Sequence, residues 1–438
     1  MARKQPQKGF TFTREMVQDS DDLAPILRKF KSDSWDAYHE LPFPTIKDEA
    51  WRRTSLNGLD FGSIQLPNGQ IKISQDAEKF SGVLSKEVIS GKSYFLLDSS
   101  GVQVNLSADL KKKGVILSRL SEAASTHPEL VEKLLGKVVS PRDGIFAAVV
   151  GAFAKFGVFI YIPKGVQVKE PIFGISIAPG QRTAHLFQTL IYMEEGSSLN
   201  YLQETRSSGD QSEISLAGEN LEIFVGPNAN LQITELQNYG SNVWSFGHKK
   251  ALVERDGNLE WEIGALGSVL CKHFVSLDLI GKGAEGRISG LFFADQTQHL
   301  SYNTLQRHLA PWTTSDLLFK GALNGKSRSV WRGMIYVAPG AQHIDGYQAN
   351  RNLVLDPAAR SDSIPGLEIL NNDVRCTHGS TIGKVDQDQL FYLLSRGIPK
   401  QEAEQLVIQG FFNDILTRFP IPEVGEAVWS NIKSRLLD

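Results

Sequence analysis

The sequence predicts a mainly β chain, with a core of stacked parallel β-helix coils flanked by N-terminal and C-terminal helical regions. Three observations carry this reading. Short alternating runs such as Leu221/Ile223/Val225, Leu259/Trp261/Ile263 and Val275/Leu277/Leu279 place one set of side chains on one face of a strand. Similar turns punctuate these runs: EEGSSLNYLQE, VGPNANLQITE, ERDGNLEWEIG, GKGAEGRISG and APGAQHIDGYQ. Aligned on Gly196, Asn228, Gly257, Gly283 and Gly340, the turns are 32, 29, 26 and 57 residues apart, the last gap holding two turns of about 28. Helical periodicity is missing from about 158 to 385, which argues against βαβ units. On this pattern alone an ordinary β-sandwich is the alternative.

The 438 residues allow two or three domains. With 41% hydrophobic and 22% charged residues the chain is an ordinary globular one, neither disordered nor collagen-like. A net charge of −3 provides no global field for nucleic acid or anionic lipid. Two cysteines, Cys271 and Cys376, cannot make a disulfide framework, and a reducing compartment, the cytoplasm, is expected. The start, MARKQPQKGFTFTREM, has no apolar stretch of a secretory signal, and Glu15, Asp19, Asp21 and Asp22 come too early for a transit peptide.

The elements follow in order. Leu23, Ile26, Leu27 and Phe30 lie at helical spacing, with Ser20, Asp21 and Asp22 as cap candidates; Pro25 favours a cap at Asp21 or Asp22. Residues 61–108 read as strand and turn fragments. Leu130, Val131, Leu134 and Leu135 form a second helical patch, which Gly136 can end. The apolar run Gly144 to Ile162 holds Lys155, three glycines and four alanines. It reads as a short buried helix followed by a core strand, not as a membrane span. After the β region, Asp386 or Asp388 can cap a helix through Gln389 to Leu393, Gly397 ends it, and Pro399 suits the start of the next. In that next helix Ala403, Val407, Phe411, Ile415 and Phe419 fall on one ridge, joined by Leu406 and Gly410. The boundaries are therefore 1–140 for a mostly helical N-terminal region, 141–385 for the β core and 386–438 for a helical module.

Most tempting motifs fail on context. Gly281 to Gly286 matches GxGxxG, but RISGLFFA after it is a strand, where a dinucleotide site needs a helix. GALNGKS, from Gly321, is one residue short of a P-loop and also precedes a strand. His39, His127, His185, His248 and His343 stand alone and read as surface or core residues. His299 and His308 flank a turn, and Cys271 with His273 can share a strand face, which more often means packing than ligation. No HExxH, GxSxG or nucleophile constellation occurs. What remains is NNDVRCTHGSTIG, from Asn371. Here Cys376 and His378 are two apart in a predicted strand, so they share a face with Cα atoms about 7 Å apart. Thiolate and imidazole suit iron, copper or zinc, yet two ligands cannot close a site, so a partner or exogenous ligands must finish it.

The run VRCTHGSTIGKVDQDQLFYLLSRGIPKQEAEQLVIQGF, residues 374–411, resembles the carboxy-terminal signature of the SufB/SufD family of iron–sulfur assembly scaffolds, in its SufD branch. GYQANRNLVLDPAARSDSIPGLEI, GVFIYIPKGV with Asp143-Gly-Ile-Phe, and PTIKDEAWRRTSL are similar to the family's earlier blocks, in its order. The resemblance implies a right-handed parallel β-helix between helical regions, and a noncatalytic scaffold subunit of the SUF system. It implies a heterodimer with SufB and docking of the SufC ATPase on the C-terminal helices, where Ala403, Leu406, Val407, Phe411 and Ile415 are the expected contacts. It assigns His378 to the cluster assembly site shared with SufB, with Cys376 in the accompanying position. The cofactor expected is a transient iron–sulfur cluster at that interface, none being held stably by this chain alone. SufB-like chains carry a cysteine immediately after the Phe-Tyr pair, and Leu393 stands there instead. Two other readings stand beside this one. A SufB-like scaffold could work as a homodimer, against which Leu393 speaks, and a β-helix enzyme on polysaccharide would need an acidic stripe along the coils that the repeat lacks. No nucleic acid or membrane partner is expected.

Overall fold

The computed structural model describes residues 9–17, 23–67, 82–84, 92–207 and 212–436. Its core is a parallel β-solenoid of about eight coils, each giving one strand to each of two sheets. Among the described residues three strands precede the coils: β1 (Ser93–Asp98), β2 (Gly101–Asn105) and β3 (Ile116–Arg119). The first four coils are β4 (Phe156–Ile162) with β5 (Ile172–Ala178), β6 (Ala184–Met193) with β7 (Ser198–Ser207), β8 (Ser215–Val225) with β9 (Asn230–Asn238), and β10 (Val243–Val253) with β11 (Asn258–Ala265). The last four are β12 (Leu270–Leu279) with β13 (Glu285–Ala294), β14 (His299–His308) with β15 (Thr314–Leu323), β16 (Arg328–Val337) with β17 (Ile344–Val354), and β18 (Arg360–Ile369) with β19 (Val374–Gly383). Even-numbered strands from β4 stack in one sheet and odd-numbered ones from β5 in the other. The alternation predicted for Leu221/Ile223/Val225 and its counterparts is what fills the lumen between them.

One corner shows how the coils lock together. The amides of Gly165, Gly196, Asn228, Asp256, Gly283, Trp312 and His343 each donate to a carbonyl of the following coil. For Gly196 the acceptor is Pro227 O at 2.8 Å, for Gly283 Pro311 O at 3.2 Å, and for Trp312 Gln342 O at 2.8 Å. All seven residues have positive φ, between 53° and 73°. Glycine, asparagine and aspartate tolerate that region; Trp312 and His343 do so at a cost of about 1–2 kcal/mol each. Their rings pack against each other, tilted by 31° with centroids 3.9 Å apart. The turn missing between Gly283 and Gly340 in the repeat is this Trp312 corner. GKGAEG and GALNGKS both lie at coil turns ahead of strands, as their context predicted.

Eight helices flank the solenoid among the described residues: α1 (Pro25–Glu40), α2 (Ala108–Lys112), α3 (Leu120–Thr126), α4 (Pro128–Leu134), α5 (Ile145–Phe153), α6 (Gln387–Ser395), α7 (Lys400–Leu416) and α8 (Pro422–Arg435). The expected helix and strand within Gly144 to Ile162 are α5, wholly buried, and β4. The cap expected for α1 is corrected. Pro25 itself is the first helical residue, a position that does not need an N–H, and Ala24 is the N-cap, with no side-chain oxygen to make a capping bond. Ser20, Asp21 and Asp22 lie outside the described residues. Gly136, at φ 71°, follows α4 in the left-handed region, and Asp386 caps α6 through the amides of Asp388 and Gln389. No described helix is long and apolar enough to cross a membrane.

The N-terminal elements cover the sheet of even-numbered strands, with Phe146, Val150 and Phe153 packed near Leu186, Leu216 and Trp244. A buried carboxylate fixes the segment after α4. Glu222, on β8, accepts bonds from the amides of Gly136 (2.9 Å), Val138 (3.0 Å) and Val139 (3.0 Å) and from Gln188 Nε2 (2.7 Å). Burial pushes its pKa up to about 7 against those four donors. On the opposite sheet α7 and α8 bury Ile408, Phe412, Ile415, Val424 and Val428 near Leu236, Leu291 and Phe293. Arg435 ties α8 down through Asp295 Oδ2 at 2.7 Å.

The lumen is apolar but threaded by a polar seam. Tyr201 donates to Gln203 (2.5 Å), Gln203 to Glu219 (2.6 Å), Lys249 to Glu219 (2.8 Å) and to Glu235, and Trp261 to Glu235 (2.7 Å). Burial alone would lower the Lys249 pKa, yet the two carboxylates hold it above its ordinary value. Further along, Gln306 Nε2 donates to Ser315 Oγ (2.7 Å), which lies 2.9 Å from His308 Nε2, and His308 Nδ1 lies 2.7 Å from Thr313 Oγ1. Thr313 gives its own proton to Ala310 O. Nδ1 therefore carries an imidazole proton, and since burial disfavours the charged ring, Nε2 is left to accept from Ser315.

Two outcomes follow from these buried groups. Glu222→Gln turns an amide NH2 towards backbone donors, and at pH 8 it should cost about 3 kcal/mol, read as a lower urea midpoint at unchanged slope. Burial lowers the His308 pKa from 6.5 to about 4. Its contribution to stability is thus complete above pH 6.5 and lost as the pH falls through 4. Between pH 7.5 and 4 the wild type should lose about 3 kcal/mol more than His308→Gln does; equal losses would mean that His308 charges freely in the fold.

Candidate functional site

The two ends of the solenoid differ. At its start the sheets finish in β1–β2 and β3–β4, both antiparallel pairs. At its finish the sheets end in the parallel coil strands β18 and β19, which, like β2 and β3 at the start, each have a single partner strand among the described residues. Nearly every residue of this coil is exposed or half-buried, with Leu370 at 51% and Ile382 at 48%. Open edges carrying apolar side chains need a cover.

Cys376 and His378 belong to this last coil. Cys376 pairs with Gly346 and His378 with Gln348 on β17. Gln348 is wholly buried, so its ladder faces inward, and Cys376 packs towards Ile335, Val337 and Ile344. The pair therefore shares the lumenal face, as the spacing predicts. Because no coil stacks on top, Cys376 is half-buried and His378 exposed. Burial raises the Cys376 pKa while the Gly346 amide works against the rise, so the resting thiol is protonated and must lose its proton to bind a metal.

A third side chain stands behind this pair, and sequence reasoning missed it. A Cβ placed on Gly346 would lie 3.2 Å from Cys376 Sγ and 3.3 Å from His308 Nε2. Glycine at 346 thus lets a buried imidazole and a thiol share one pocket of the lumen. The drifting coil length hides this neighbourhood, since residues 308, 346 and 376 have no fixed period. Around them Thr304 Oγ1, Gln306 Oε1, Trp331 Nε1, Gln348 Oε1 and Ser363 Oγ are buried without a hydrogen-bond partner among the described residues. The open end is thus lined by polar groups. No group of three or more His, Cys, Asp or Glu residues gathers as a closed metal site among the described residues. Cys271 lies deep in the core, 3.6 Å from the Tyr302 hydroxyl, its pKa pushed up to about 12 by burial. His273 contacts Ser245 Oγ at 3.0 Å, so the Cys271–His273 pair is packing.

The C-terminal ridge divides. Ala403 and Ile415 are buried and supply core. Leu406 is 42% exposed, and Val407 and Phe411 are half-buried on the other side of α7. Those three, with Leu353, Tyr392 and Leu393, line a cavity of about 750 Å³ between α6 and α7. Beside it Phe391 is 72% and Tyr392 56% exposed. Lys320 braces Phe411, with its Nζ 2.7 Å from the Phe411 carbonyl and 2.6 Å from Asp414 Oδ1.

Comparison with known proteins agrees with this architecture. Residues 176–411 match the family described as SUF system FeS cluster assembly, SufBD core domain. Residues 2–173 match the SufBD protein N-terminal region. A protein of Staphylococcus epidermidis described as an iron-sulfur cluster assembly SufBD family protein is 31% identical over 324 residues, 74% of this chain and 70% of the relative. Proteins of the same description from Staphylococcus haemolyticus and Staphylococcus aureus are 31% and 30% identical over the same shares. With both halves matched in order onto a solenoid between two helical flanks, the chain belongs to the SufBD family of iron–sulfur cluster assembly proteins.

Proposed function

We propose that this chain is the SufD-like, noncatalytic scaffold subunit of a cytoplasmic SUF assembly complex. It pairs with SufB across the open end of the solenoid and offers His378 to a nascent iron–sulfur cluster built there as cargo. The observation that carries this reading is the Cys376–His378 pair, facing the lumen of a terminal coil whose strand edges are unpaired. Imidazole and thiol from this side supply too few ligands to retain a cluster, and ligands from SufB complete the set. A site shared between chains can release what it assembles, where a four-cysteine cage would keep it. Leu393, in place of the cysteine that SufB-like chains carry there, favours the SufD assignment.

SufC docks on the C-terminal helices in the same reading. Support comes from the apolar, solvent-facing group of Phe391, Tyr392, Leu406, Val407 and Phe411 around the cavity between α6 and α7. Ala403 and Ile415, buried beneath, hold the module to the core.

In complexes purified without air at equal subunit stoichiometry, His378→Ala should leave assembly intact, an exposed truncation costing under about 0.5 kcal/mol. Iron and acid-labile sulfide should fall severely, and Cys376→Ser should lower them less. Wild-type iron and sulfide in the His378→Ala complex would remove the histidine from the site. Leu406→Asp, an exposed change, should weaken the dissociation constant for SufC at least about tenfold with the solenoid's melting temperature unchanged. An unaltered constant would place the ATPase elsewhere.

A further inference from the structure

A cavity of about 490 Å³ opens on the outer face of the even-numbered sheet, between coils four to seven and the N-terminal segments around Ala50 and Val139. Its size lies in the range of small-molecule sites. Phe274, Leu305 and Met334 supply apolar walls. Phe274, Asn303 and Arg332 stand side by side on β12, β14 and β16, and Lys250 and Arg307 complete the rim.

The charges do not balance. Asp278 is buried and accepts from Arg307 at 3.0 Å, with Lys250 Nζ 3.4 Å away, so one carboxylate serves two cations. Behind the wall Lys272 is 1% exposed. Its Nζ donates to Ala50 O (2.6 Å), Asn303 Oδ1 (2.8 Å) and Ser301 Oγ (3.0 Å), all of them neutral. Among the described residues no carboxylate forms an ion pair with Lys272 or Arg332. Among the described residues the only acid lining the cavity is Asp143, which takes the Ser140 amide at 3.0 Å. Lys249, which also lines the cavity, is matched by Glu219 and Glu235; apart from it, Lys250, Arg307, Lys272 and Arg332 face only Asp143 and Asp278 among the described acids. Burial, and then the charge of Arg332, lower the Lys272 pKa to about 7, with no carboxylate at hydrogen-bond distance to offset them. A buried lysine with only neutral partners, beside an arginine with no carboxylate of its own, is a costly arrangement for packing alone.

We propose that this cavity binds a small organic anion, with its carboxylate or phosphate held at Arg332 and its apolar ring against Phe274, Leu305 and Met334. The site lies on the outer face of its sheet, whereas Cys376 and His378 face the lumen and α6 to α8 flank the other sheet. It therefore does not depend on the scaffold reading.

The test uses the full chain and titration calorimetry with phenyl phosphate, benzoate, inorganic phosphate and phenol. Phenyl phosphate or benzoate should bind saturably, with a dissociation constant below about 1 mM. Inorganic phosphate, lacking the ring, and phenol, lacking the charge, should each bind at least about tenfold more weakly. Arg332→Gln should weaken the better probe at least about tenfold, and Arg332→Lys, which keeps the charge, should restore most of the loss. Arg332 is half-buried on the sheet surface, so melting temperatures without probe should match the wild type. Absence of saturable binding by both ring anions would overturn the proposal, as would an equal constant for wild type and Arg332→Gln. Equal affinity for inorganic and phenyl phosphate would overturn the ring's part in it.

Discussion

Everything in this molecule hangs on the backbone ladder between successive coils. A parallel stack satisfies the amides and carbonyls of each coil with those of its neighbours, and each corner amide joins the same scheme, from Gly165 to His343. Such a ladder has no natural end. Every stack must therefore be closed at both extremes by something that is not another coil of the same chain. Here both extremes end in strands with one partner each among the described residues, antiparallel β2 and β3 at the first and parallel β18 and β19 at the last, and it is the last that exposes large apolar side chains, Leu370 and Ile382. The helical flanks answer a different need: they bury the outer faces of the two sheets.

The interior follows from the same constraint. Side chains in register stack along the lumen, so a polar residue in one coil obliges a partner in the next. Lys249 between Glu219 and Glu235 is such an obligation met between two coils, and the chain from Gln306 through Ser315 to His308 one met within a coil. Towards coils six to eight the obligations go partly unmet, with Thr304, Gln306, Trp331, Gln348 and Ser363 each carrying an orphaned atom. Unsatisfied polar groups thus gather in the lumen towards the end where Cys376 and His378 stand. An end that is both edge-exposed and polar suits an interface formed and dissolved around a charged cargo better than one sealed by apolar contact.

Buried carboxylates do a second job, joining the flanks to the core. Glu222 takes three amides of the segment after α4, and Glu204 takes those of Val83 and Leu84 at 3.2 and 2.8 Å. Burial raises the pKa of both. The N-terminal segments are thereby fixed by directed bonds as well as by apolar packing.

The sequence by itself determined the class of fold, because alternation within strands and turns near a 28-residue repeat are local properties of the chain. It determined that Cys376 and His378 share a face, since two residues apart in a strand means the same side whatever the strand packs against. It also carried α5 and β4, whose unbroken apolar run could only be buried. Trp312 stayed hidden as a corner because its left-handed backbone is held by the ladder and by packing against His343, not by its own preference. Which face of α7 is core was equally out of reach: the i+4 ridge ran through Ala403 and Ile415, but the tilt of the helix on its sheet buries Ile408 and Phe412 and turns Leu406 outward. Only the tertiary structure decided that lumenal means exposed for His378, that Gly346 brings His308 beside Cys376, and that Arg332 and Lys272 meet without a carboxylate. Each of these depends on which coils stack and where the stacking stops, and coil lengths that drift by a few residues erase that register from the sequence.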